Sequence, residues 1–139
     1  LDDPLPIDDS FPDEQLVVIN ASRTAPWYAD YANYIVAKFI PPSFTFLQKK
    51  KFFYDLRHYF WDDPHLYKEG VDGVIRRCVP EHEQEQILRK CHSEAYGGHH
   101  AGDRTVHKVL QSGFYWPTLF KDACKFVLSC DECQRIGNW

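Results

Sequence analysis

The chain has no methionine, no long apolar run and no surplus of positive charge. No apolar stretch approaches the ~20 residues that a membrane-spanning helix needs, so no membrane partner is expected. Nor does the start combine a basic segment, an apolar core and a small-residue cleavage site, which argues against a secretory leader. The missing methionine and the start at Leu1 point to an internal piece of a longer polypeptide. The net charge of −4 is not the basic footprint of a dedicated nucleic-acid binder. The deficit is local, however. Residues 1–14 carry six acidic side chains and no Lys or Arg, so the rest of the chain sets 16 basic residues against the other 14 acids. Any contact with DNA must come from a local patch. Cysteine is also wrong for a disulfide framework: the five are odd in number and two stand as Cys130-x-x-Cys133. That pattern favours metal use in a reducing compartment. A redox Cys-x-x-Cys would need a thioredoxin-like βαβ context, which the sequence lacks.

What is present is globular. At 139 residues, 44% hydrophobic and 16% aromatic, the chain suits one ordinary domain or two small ones. Residues 1–25, with Pro4, Pro6, Pro12 and clustered Asp, read as an acidic, partly disordered linker around one short apolar run, Leu16-Val17-Val18-Ile19. Residues 26–79 read as an extension of two helices and a hairpin. Pro26 suits a first helical turn, Trp27, Tyr31, Tyr34 and Ile35 recur at helical spacing, and Pro41-Pro42 ends the run. Ser43 is the candidate cap of a second helix through Phe46, Leu47, Lys50, Phe53 and Tyr54, in which Lys49-Lys50-Lys51 reads as a solvated face. Turn signals at Asp62-Asp63-Pro64 and Gly70-Val71-Asp72-Gly73 predict an antiparallel hairpin over about 65–69 and 74–79. Residues 80–139 hold three further helices. The first opens at Pro80 and buries Ile87, Leu88 and Cys91; the second starts at Gly102-Asp103 and buries Val106, Val109 and Leu110. The third starts at Pro117 and turns Leu119, Phe120, Ala123, Phe126 and Val127 inward.

His92 and His99 precede Cys130 and Cys133 by about thirty residues. Two imidazoles and two thiolates complete a tetrahedral Zn²⁺ shell and leave no position for substrate or water, so one structural ion is expected. Three helices of about 55 residues are marginal on their core alone, whereas zinc supplies roughly 10–16 kcal/mol of apparent binding energy in small modules. Gly97-Gly98 lets the chain fold back between the histidines, and His100 stands as an alternative to His99. Cys124, Cys91 and Cys78 read as packing residues, and His58, His65, His82 and His107 have no partner spacing. The fold class is thus α+β and mainly helical: a zinc-pinned three-helix unit preceded by two helices and a small hairpin.

These residues resemble the HHCC zinc-binding N-terminal region of integrases of gypsy-type LTR retrotransposons. The resemblance is carried by His92, the Gly-Gly-His-His turn at 97–100, Arg104-Thr105, the segment SGFYWPTLFKDA at 112–123 and the closing SCDECQRIGN at 129–138. Upstream, PWYADYANYIVAKFIPP, FFYDLRHYFWDDPHLY and VDGVIRRCVPEHE are similar to the region joining RNase H to integrase in plant elements. The resemblance implies a segment of a Pol polyprotein, with zinc on His92, His99, Cys130 and Cys133 and a DDE catalytic core beyond Trp139. It implies no enzyme activity in the segment itself and no small-molecule substrate. Its partners would be other integrase subunits, the rest of the polyprotein and the DNA ends of the element, in a cytoplasmic particle and the nucleus. Two departures are Ala101, where relatives tend to have Gly, and Cys124, where His is frequent. Arg104 with Lys108, and Lys121 with Lys125, each one helical turn apart, are the candidate phosphate contacts. A protein-interaction module, possibly captured by a host protein and using Tyr59, Phe60, Trp61 and Tyr67, is the alternative. A metalloenzyme fits poorly with a closed ligand set, and Glu94 and Glu132 read as surface charges.

Overall fold

The computed structural model describes residues 25–92 and 101–130. The linker up to residue 24, His99, His100 and Cys133 lie outside the described residues. Five helices and four strands occur among the described residues, a mixed and mainly helical α+β fold. The chain divides into two compact units, Leu1–Tyr67 and Lys68–Trp139.

In the first unit, α1 (Ala29–Ala37) begins after Pro26, whose carbonyl accepts the Ala29 N–H at 3.0 Å. It ends at Lys38, in the left-handed conformation at φ 59, whose N–H bonds back to the Tyr34 carbonyl at 2.8 Å. Helix α2 (Phe46–Leu56) is capped by Thr45 and not by Ser43. Thr45 accepts the Gln48 N–H at 3.1 Å while Gln48 accepts the Thr45 N–H at 2.8 Å. Only Thr45 has a glutamine three residues on, so only there can a reciprocal capping box form. The core is aromatic. Tyr31 stacks on Phe52 at 5.1 Å and on Tyr59 at 4.2 Å, and Tyr34 and Phe44 meet Phe52 edge-on. Such pairs contribute roughly 0.5–1.5 kcal/mol each beyond their buried area. Phe52 is the helix residue that enters this core. Phe46, Leu47 and Tyr54, on the opposite side, are 76%, 72% and 64% exposed.

The strands are β1 (Tyr59–Asp62), β2 (His65–Glu69), β3 (Ile75–Cys78) and β4 (Phe114–Tyr115), in the spatial order β1-β2-β3-β4. The β2–β3 connection turns where expected, with the Gly70 N–H on the Val74 carbonyl at 2.9 Å. β1 and β4 are additions to the hairpin read from sequence. β4 pairs parallel to β3 with Arg77 opposite Phe114 and Cys78 opposite Tyr115. Parallel strands require a long crossover, and here two helices supply it: α3 (Glu81–His92) and α4 (Ala101–Gln111).

Helix α3 has Glu81 and Glu83 in its first turn and Arg89, Lys90 and His92 in its last, matching the helix dipole at both ends. It buries Leu88, Cys91 and His92. α4 buries Thr105 and Val109, with Val106 and Leu110 half-buried. It ends before Gly113, where φ is 92, a value that glycine adopts without strain. α5 (Leu119–Leu128) buries Leu119, Ala123 and Val127 along one stripe. Phe120 does not turn inward as the sequence pattern predicts. It lies at the edge of that stripe and is 59% exposed, while Trp116, 1% exposed, supplies the large buried aromatic just ahead of the helix. α4 packs against both α3 and α5, and α3 also touches α5.

Candidate metal centre

The site begins with the ends of two helices. His92 closes α3 and is 4% exposed. Cys130 follows α5, its N–H bonded to the Val127 carbonyl at 3.1 Å, and its side chain packs half-buried against Val127. The His92 ring meets the Phe126 ring edge-on at 5.7 Å and 86°. Phe126 lies in the last turn of α5, four residues before Cys130. The packing of α3 on α5 therefore brings the first expected ligand to the part of α5 that leads into the third.

Two of the four expected ligands, His92 and Cys130, are described; His99 and Cys133 lie outside the described residues. Among the described residues no group of three or more His, Cys, Asp or Glu gathers, in keeping with that division. The donor chemistry present fits zinc: a buried imidazole and a half-buried free thiol. The His92 Nδ1 atom lies 3.2 Å from the Thr105 hydroxyl oxygen, and Thr105 is fully buried. In the sequence Thr105 stands out only as part of the Arg104-Thr105 pair. The signal was available in the i, i+3, i+7 stripe of Gly102, Thr105 and Val109, because a hydroxyl on a buried stripe needs a partner.

Cys124 and Cys91 do not join His92 and Cys130. Cys91 is buried in the α3 face, and Cys124 packs against Gly102 of α4: a Cβ on Gly102 would stand 3.1 Å from the Cys124 Sγ. Cys78 is buried in β3, and burial pushes its thiol up to about 12, against a partial lowering by Lys68 and Arg77. It is an inert packing residue at neutral pH. Among the candidate phosphate contacts, Arg104, Lys121 and Lys125 are exposed and Lys108 is half-buried. Of the aromatic residues considered as a protein surface, Tyr59 is buried in the core, Trp61 and Tyr67 are half-buried and Phe60 is exposed. No helix among the described residues is long and apolar enough to cross a membrane.

Residues 79–139 match the family described as the integrase zinc binding domain. Over 84 residues the chain is 31% identical to the gypsy retrotransposon integrase-like protein 1 of Mus musculus, covering 59% of this chain and 16% of that protein. It is 74% identical over 31 residues to an uncharacterized mitochondrial protein of Arabidopsis thaliana, covering 22% of this chain and 26% of that protein. A Pro-Pol polyprotein of feline foamy virus is 26% identical over 62 residues, 45% of this chain and 5% of its own length. The chain thus spans about a quarter or less of these curated relatives. No solved structure matches it.

Proposed function

We infer that this chain, whose residues 79–139 are a gypsy-type integrase zinc-binding domain, serves as the N-terminal module of a retrotransposon integrase. The domain is non-catalytic by itself. In the proposed role it holds one structural zinc, supports the multimerisation of integrase and engages the DNA ends of the element. The observation that carries this reading is the convergence of His92 with the end of α5, where Phe126 meets its ring four residues before Cys130. His92, His99, Cys130 and Cys133 would hold the ion. Bound there, zinc supplies a cross-link between helix ends and no open coordination position for chemistry.

The DNA part of the proposal rests on the exposed cations Arg104, Lys121 and Lys125, with half-buried Lys108, on α4 and α5. Phosphate contacts of this kind lose roughly 0.9 log units of affinity per contact per decade of salt. Fluorescence anisotropy of zinc-loaded protein with element-end DNA tests it. Binding that weakens with salt and with Lys121→Gln/Lys125→Gln supports the assignment; no binding at low salt removes it.

One observation favours a second reading, a protein-interaction module. The outer side of α2 presents Phe46, Leu47 and Tyr54 to solvent, with the Arg57 guanidinium 4.1 Å from the Tyr54 ring centre. Under this reading the chain self-associates or docks on the rest of the polyprotein through that side. A strictly monomeric mass at high concentration counts against self-association.

A further inference from the structure

We propose that Thr105 is a positioning residue for the metal ligand His92, selecting the imidazole nitrogen that faces the ion. The inference rests on the zinc reading and adds to it a residue outside the ligand set. The two side chains come from different helices, thirteen positions apart, and both are buried. Thr105 Oγ1 lies 3.2 Å from His92 Nδ1, and Phe126 fixes the ring plane from the edge.

A neutral imidazole carries one N–H and one lone pair, and a metal takes the lone pair. The nitrogen left with the proton then needs an acceptor, because a buried N–H without one is destabilising. Thr105 Oγ1 is that acceptor for Nδ1–H. The contact therefore directs coordination through Nε2. Without metal the same oxygen can donate its own proton to Nδ1, which leaves the imidazole proton on Nε2. With Nε2 held toward an ion, the imidazole proton would sit on Nδ1 and the Thr105 hydroxyl would accept it.

The test uses the full chain, Zn²⁺ in competition with a chromophoric chelator, and long-range ¹H–¹⁵N correlation of the histidine rings. Thr105→Val keeps the shape and removes the acceptor; Thr105→Ser keeps the hydroxyl. The expected result is a loss of zinc affinity of about 10–100-fold in Thr105→Val, affinity close to wild type in Thr105→Ser, and a wild-type His92 signal with Nδ1 protonated and Nε2 metal-bound. Wild-type affinity in Thr105→Val, or metal on Nδ1, overturns the inference while the zinc reading stands. Failure of the wild-type chain to take up zinc overturns both. Should Thr105→Val not fold, the wild-type ring signals and the Thr105→Ser affinity still decide.

Discussion

Gly102 of α4 and Cys124 of α5 pack so closely that a Cβ on the glycine would lie 3.1 Å from the cysteine sulfur and 3.5 Å from its Cα. The absence of a side chain at Gly102 sets how near the two helices come. Cys124 therefore acts in helix packing.

Substitution of Gly102 tests that spacing. Gly102→Val is expected to cost about 1–3 kcal/mol by overpacking. Gly102→Ala is milder, because gained helix propensity offsets a displacement of a few tenths of an ångström at a movable sulfur. Adding Cys124→Ala to Gly102→Val should recover part of the loss, as measured by urea unfolding of the zinc-loaded protein. Additive effects would show that the two positions do not meet.

Arg76 ties the β2–β3 turn to the end of α4. Its Nε donates to the Leu110 carbonyl at 3.0 Å, and its guanidinium pairs with Asp72 at 3.0 Å. Loss of the Leu110 bond in Arg76→Ala should cost about 1–2 kcal/mol. The hydrogen bond from Arg76, then that from Val74, holds the Asp72 carboxyl below its ordinary value of 3.8. The stability from this pairing is therefore present above the ordinary carboxylate range and is lost as pH falls through the lowered value. Arg76→Lys should flatten that acid limb in pH-dependent unfolding.

Cys78 predicts the opposite limb. Burial raises its thiol from 9.0 to about 12. An unfolded chain ionises the thiol near 9 while the folded one keeps it neutral, so stability is intact below about pH 9 and falls as pH rises toward 12. Cys78→Ala should remove that component of the alkaline loss, and in the folded wild-type chain Cys78 should be alkylated far more slowly than in urea. Rapid modification at pH 8 without unfolding would contradict the burial.

Asp122 links the start of α5 to the buried Trp116, accepting its indole N–H at 2.9 Å and the Thr118 hydroxyl at 2.7 Å. Asp122→Ala should cost about 1–3 kcal/mol, because the indole N–H loses its acceptor, and should shift the Trp116 indole N–H signal by NMR. Asp122→Asn, which retains an acceptor, should lose less.

Local features were the readable ones. The helix after Pro80, the turn at Gly70–Gly73 and the end of α4 before Gly113 follow from side chains within a few residues of each other. The second helix is capped at Thr45 and not at Ser43 because the choice turns on Gln48, whose part in a reciprocal bond is a three-residue pattern that the apolar spacing obscures. The exposure of Phe120 is not legible in the pattern, because an apolar residue at the edge of a helical stripe cannot be told from one in its centre without the neighbouring helix. β4, two residues long, carries no periodicity and exists only through its partner strand.

By itself the sequence determined the helical register, the turns, the uneven charge and the imidazole and thiol that His92 and Cys130 offer, since each depends on residue type and short spacing. Tertiary structure alone decided that His92 meets Thr105 and Phe126, that β3 pairs parallel with β4, and that Gly102 admits Cys124. The reason is physical: these contacts join residues 13 or more positions apart, and their geometry follows from how buried faces fill space against one another.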